Sequence, residues 1–251
     1  MIKYLGGDCM LISIEGLDGV GKSTLTSVLS SELKMPIISK PIKSLLELTP
    51  DQSRNITSKI YGNYSKNLQA MYYLLGYLSA LEDGKKGSYI LDRGFISTYY
   101  FSSNEENKEL FDFYALNYGF PEITVLLYAS IEERIKRIAN RSSLDKDLMK
   151  TRIYKDDYTK YFEAIRRYNI PHIAINTEKM NELEVADIVL NAIELWRIGA
   201  DNRKFVMDLF SIDNLQLSNN LTHQELIKKL LEEVKVKKLE RRKKLLQINT
   251  I

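Results

Sequence analysis

The chain has 251 residues, 44% of them hydrophobic, enough for one substantial buried core and an appendage. Its 36 basic and 33 acidic residues leave a formal charge of only +3, which argues against a general coat for nucleic acid or membrane. A single cysteine, Cys9, excludes an internal disulfide framework, and His172 and His223, the only histidines, form no Cys/His pattern with metal-ligand spacing.

The opening stretch MIKYLGGDCMLISIEG carries a short apolar run that Glu15 interrupts. It is read as neither a signal peptide nor a membrane span, and a cytoplasmic setting is expected. Met10 to Ile14 predicts a buried strand ending at a glycine turn, and Ser23 to Leu33 follows with apolar residues at helical spacing. A second strand is expected at Pro36 to Ser39. From about Gln52 to Asp83 the residues Met71, Leu74, Leu75, Leu78 and Leu81 keep the 3.6-residue period, and the stretch reads as mainly helical. Further strands are expected at Ser88 to Leu91, Ile123 to Tyr128 and His172 to Ile175. Helices are expected near Ile131 to Asn140, Asp147 to Tyr168 and Glu182 to Ile198. Alternating strands and helices imply an α/β three-layer sandwich, a parallel sheet covered by helices.

Near Gly199 the alternation stops. Residues 1–199 read as the core and 200–251 as a helical, basic C-terminal extension whose last helix starts after Thr222, with Glu225 as capping partner. Lys235, Lys237, Lys238, Arg241, Arg242, Lys243 and Lys244 concentrate charge there. Such a run is ordinarily a solvated face, with nucleic acid or an anionic partner as the alternative. Leu226, Leu230, Leu231 and Val234 make an apolar face suited to packing on the core or on a second subunit.

Gly16-Leu17-Asp18-Gly19-Val20-Gly21-Lys22-Ser23-Thr24 fits the phosphate-loop pattern between a predicted strand and a predicted helix, the context that pattern requires. Backbone amides of such a loop converge on phosphates, and the following helix presents its positive end to the same anion. Gly16, Gly19, Gly21, Lys22, Ser23 and Thr24 are therefore expected to bind ATP. Lys22 would bridge the outer phosphates and Ser23 would offer its hydroxyl to magnesium. Asp92 stands just past a predicted strand, at the end of the sheet where magnesium needs a carboxylate, and Arg93 beside it offers a fork to phosphate. The alternative for this pair is a local ion pair closing a strand end.

These residues together, with Asp92-Arg93-Gly94-Phe95-Ile96-Ser97, resemble the thymidylate kinase family and the related deoxynucleoside kinases over roughly residues 10 to 195. The resemblance implies a P-loop kinase that transfers a γ-phosphoryl group from ATP, with magnesium, to a nucleoside monophosphate. It also implies a homodimer. It assigns Asp18 to the acceptor sugar, matches the D-R-x-x-x-S signature to Asp92, Arg93 and Ser97 with Gly94 in place of an aromatic, and makes Arg137 and Arg141 catalytic arginines of a lid at about 137–150. The alternative for Arg134, Arg137 and Arg141 is the solvated face of a helix. Ser39-Lys40-Pro41 stands where the relatives carry Glu-Pro. Lys40 is a poor base but suits an acceptor that already bears phosphate. Met71 to Leu81 has no basic residue where thymidylate kinases carry a substrate-binding arginine, while Tyr73 and Tyr77 are placed to stack on a base or to fill the core. Two alternatives stay open: a deoxynucleoside kinase, and a nucleotide-dependent binding module that uses the basic tail.

Overall fold

The computed structural model describes residues 9–39, 41–141, 147–149, 151, 157–216 and 225–237. Strands β1 (Leu11–Glu15), β2 (Ile37–Ser39), β3 (Tyr89–Asp92), β4 (Ile123–Tyr128) and β5 (His172–Asn176) form a sheet in the order β2-β3-β1-β4-β5. Every pairing is parallel, with Ile14 opposite both Asp92 and Val125. β1 and β4 are buried almost throughout; ITVLLY is accordingly apolar on both faces, while LISIE carries Ser13 and Glu15 into the interior. The chain winds from β1 to one side through β2 and β3, then to the other through β4 and β5. The carboxyl end of β1 is therefore the switch point where an open α/β sheet leaves a crevice.

The helices are α1 (Lys22–Leu33), α2 (Pro41–Leu45), α3 (Pro50–Asn63), α4 (Lys66–Gly84), α5 (Phe95–Ser102), α6 (Lys108–Tyr118), α7 (Ile131–Arg141), α8 (Thr159–Tyr168), α9 (Glu182–Ile198), α10 (Ala200–Leu209) and α11 (Ile212–Gln216), with a last one over 225–237. α1 packs on α9, while α4 packs on α5 and α5 on α8, giving the expected layers. Among the described residues no helix is long and apolar enough to cross a membrane.

The stretch expected to be one helix over Gln52 to Asp83 is two. Tyr64 is extended, and the Ser65 hydroxyl then accepts from Leu68 N–H at 3.4 Å to start α4 afresh. The predicted helix at Asp147 to Tyr168 is seen as helical residues 147–149 and 151 and as α8, with 152–156 outside the described residues.

The boundary expected at Gly199 does not divide the core. Val206, Leu209, Phe210, Ile212, Leu215, Leu230 and Val234 are buried in the same cluster as the strands. Phe210 O accepts from Ala174 N–H at 2.8 Å, so the segment after α10 covers the outer edge of β5. Of the basic run, Lys235 and Lys237 lie on the last described helix, and Lys238 to Lys244 fall outside the described residues.

His172 fastens this segment. Its Nδ1–H donates to Ile170 O at 2.9 Å, and its Nε2 accepts from Ile212 N–H at 3.2 Å, an arrangement that only the neutral ring satisfies. Burial lowers its pKa, against the Ile170 carbonyl and the nearby Asp213, which raise it. The unfolded chain thus binds a proton that the folded one refuses. The stability His172 confers is present above about pH 6.5 and is lost as pH falls through the lowered folded value. Thermal unfolding between pH 7.5 and 5 should show this loss, and His172→Phe should flatten it.

Candidate functional site

The phosphate loop leaves β1 at its carboxyl end and enters α1 without a side-chain cap, so the first amides of α1 remain turned to the crevice. Gly16 and Gly21 serve this loop differently. At Gly16, φ is +138° and a Cβ would sit 2.5 Å from Leu127 O, so the glycine lets the loop press onto the end of β4. At Gly21, φ is +98° and no atom lies within 4 Å of a Cβ, so only the backbone turn demands glycine and its face stays open to a ligand. Gly19 packs against the α7 backbone, where a Cβ would lie 2.9 Å from Arg134 O. Beside the loop opens a cleft of about 940 Å³ whose walls include Lys22, Ser23, Asp92, Arg93, Arg141 and Thr177.

Lys22 is 8% exposed and donates from Nζ to Leu17 O at 2.7 Å, with Asp18 Oδ1 3.7 Å away. Burial, and then the Arg93 charge, bring its pKa down to about 7. Arg93 leaves the end of β3 with φ +69° and donates through Nη1 to Gly16 O at 3.0 Å and through Nη2 to Asp18 Oδ1. Lys22 and Arg93 thus meet at one carboxylate, Asp18. Asp92 and Ser23 also line the cleft, Asp92 partly buried and Ser23 exposed. Two such oxygen donors suit magnesium, which keeps several waters and is otherwise held by substrate phosphates. An open glycine, free helix amides and a buried lysine make a cradle that fits a polyphosphate.

Several expected site residues are placed elsewhere. Tyr77 is 1% exposed and its hydroxyl donates to Gly119 O at 3.0 Å among core aromatics, so it offers no face to a base. Ser97 is buried with its hydroxyl donated to Glu15, which withdraws it from a substrate. Arg137 lines the cleft, but its guanidinium donates to Glu133 Oε1 at 2.8 Å, Thr177 Oγ1 at 2.9 Å and Thr177 O at 2.6 Å. The one hydroxyl proton of Thr177 lies between Tyr128 O at 3.1 Å and Val20 O at 3.3 Å, so Arg137 braces α7 to the end of β4 beside the phosphate loop rather than reaching into the cleft. Arg141 lines the cleft at the end of α7. Lys40 and part of the expected lid, 142–146 and 150, lie outside the described residues.

The structure also brings in residues that sequence reasoning missed. Arg134, read as part of a solvated face, is 1% exposed and donates from Nε to Asp18 O at 2.9 Å, locking α7 onto the loop. Its signal was the spacing: Arg134 shares a helix face with Ile138, which is buried. Arg134→Ala removes a buried donor and its packing. It should lower stability by about 2–4 kcal/mol in urea unfolding.

The thymidylate kinase family profile matches residues 14–188. Among curated proteins, none matches the chain in sequence. Thymidylate kinase from Candida albicans is similar in structure, with TM-score 0.55, 18% identity and coverage of 78% of this chain and 93% of that one. Deoxyadenosine kinase from M. mycoides, with the products dCMP and a flexible dCDP bound, gives TM-score 0.51 at 20% identity, covering 74% of this chain and 99% of that one. At these identities the two structures speak to the fold.

Proposed function

The chain belongs to the thymidylate kinase family, and we propose that it transfers the γ-phosphoryl group of ATP, with magnesium, to a nucleoside monophosphate. The observation that carries this reading is the convergence of Lys22 and Arg93 on Asp18 at the carboxyl ends of β1 and β3. Two basic side chains from different elements, held apart by one carboxylate, suit two anionic groups approaching each other: the phosphates of a donor on the Lys22 side and that of an acceptor on the Arg93 side. A nucleoside would leave Arg93 without an anion to hold.

Bound ATP supplies the phosphoryl group, and magnesium neutralises its phosphates. The protein supplies position and charge, which phosphoryl transfer chiefly requires. In this reading the loop amides and Lys22 hold the donor, Ser23 and Asp92 hold the metal and its waters, and Arg93 grips the acceptor phosphate. Asp18, once Arg93 turns to phosphate, can accept from an acceptor hydroxyl. Arg141 is placed to add charge from the end of α7. The family resemblance supports a homodimer.

The test is ADP release from magnesium-ATP with a panel of deoxynucleoside and ribonucleoside monophosphates set against the parent nucleosides. Stimulation by a monophosphate is expected. Stimulation by nucleosides alone would make the chain a nucleoside kinase, and ATP binding without stimulation by any acceptor would make it a nucleotide-dependent binding module.

A further inference from the structure

Glu15 closes β1 immediately before the phosphate loop and is 0% exposed. Three donors converge on its carboxylate: Gly94 N–H at 2.8 Å and the Ser13 hydroxyl at 3.3 Å on Oε1, and the Ser97 hydroxyl on Oε2. The Gly94 amide can only donate, and Ser97, whose oxygen accepts from Arg93 Nη1, gives its own proton to Glu15, the arrangement of an ionised carboxylate. Burial raises its pKa, and the Ser97 and Gly94 bonds and the Arg93 charge oppose that rise. Sealing an anion inside a protein is costly, and an apolar residue would continue β1 without that cost.

The carboxylate serves one place, the turn at Arg93 and Gly94. Arg93 holds φ at +69°, a left-handed conformation that strains any residue but glycine. The amides on both sides of that strained φ,ψ pair are tied to the last two residues of β1: Arg93 N–H donates to Ile14 O at 3.1 Å, and Gly94 N–H donates to Glu15. Ser97, held by Glu15, lies 3.4 Å from Arg93 Nη1 and 3.2 Å from the hydroxyl of Tyr161, which is itself fully buried. Glycine at 94 permits the approach, because a Cβ there would come within 2.9 Å of Ser13 Oγ and 3.3 Å of Glu15 Oε1.

We propose that Glu15 is a positioning residue for Arg93, a buried anion that pins the strained turn and, through Ser97, the side from which the guanidinium faces the acceptor phosphate. This rests on the reading of Arg93 given above. The hydrogen bonds on Glu15 come from Gly94, Ser97 and Ser13, and on Lys22 its charge acts only at a distance, behind those of Arg93, Asp18 and Asp92, so its loss should fall mainly on the acceptor.

Glu15→Gln keeps an acceptor for Gly94 N–H and a partner for Ser97 while removing the charge. The expected result is an acceptor KM raised about 10- to 100-fold, the range for outer partners of a working group. The affinity for a non-hydrolysable ATP analogue should stay within about twofold of wild type, the split expected when only one ligand's contact is lost. Equal loss of donor and acceptor affinity would overturn the proposal, as would no change in either. Should Glu15→Gln fail to fold, Ser97→Ala decides by the same split, with a smaller rise in acceptor KM. If the wild-type protein accepts no monophosphate, the functional reading falls separately. The positioning claim is then read from the Nε–H NMR signal of Arg93: its broadening in Glu15→Gln supports the claim, and an unchanged signal overturns it.

Discussion

Lys22→Ala should lower kcat by about a thousandfold, the scale of losing one preorganised charge at a transition state, with far-UV circular dichroism unchanged. Fold and activity separate here because Lys22 is a liability to the folded chain. Its ammonium is buried, bonded to a carbonyl and pushed down to a pKa of about 7. Phosphate is the partner that would restore its charge. Above pH 7 the free protein holds this lysine largely neutral, so binding ATP should take up a proton and weaken as pH rises. Calorimetry in buffers of differing ionisation enthalpy measures that uptake, and Lys22→Ala should abolish it. A variant that turns over normally would remove the phosphate loop from the mechanism.

Arg93→Ala should reduce kcat/KM for the preferred monophosphate by about a thousandfold, equivalent to about 4 kcal/mol of transition-state stabilisation. Arg93→Lys should recover little, since a point charge cannot reproduce a fork that spans Gly16 O and Asp18 at once. The same position tests the strain. With φ at +69°, Arg93→Gly should be more stable than Arg93→Ala by about 1 kcal/mol in urea unfolding while being equally inactive. Equal stability of the two variants would mean that the turn is not strained.

The sheet was legible in the sequence because buried parallel strands are short apolar runs, of which Ile123 to Tyr128 matches to both ends; the helix Glu182 to Ile198 matches to both ends as well. α5 was not read. FISTYYFS is buried over most of its surface and rich in aromatic and β-branched residues, so no polar face marks a 3.6-residue period. The break between α3 and α4 was passed over because the apolar period runs on beyond it, although Gly62, Asn63 and Ser65 are turn and cap residues. In the site, the phosphate loop and Asp92-Arg93 were legible as motifs. Glu15 was noted only as an interruption of an apolar run, and its partners Gly94 and Ser97 stand 79 and 82 residues away in the chain. A charge at the buried end of a central strand was the signal. Tyr77 failed for the opposite reason: an aromatic at helical spacing looks the same whether it faces a base or the core.

Transfer of label from [γ-³²P]ATP to a nucleoside monophosphate, with the product identified by chromatography, tests the central claim most directly. The account predicts label in the β-phosphate of a nucleoside diphosphate, dependent on magnesium and lost in Lys22→Ala and Arg93→Ala. Label found only in inorganic phosphate, or only in a monophosphate formed from a nucleoside, would contradict it.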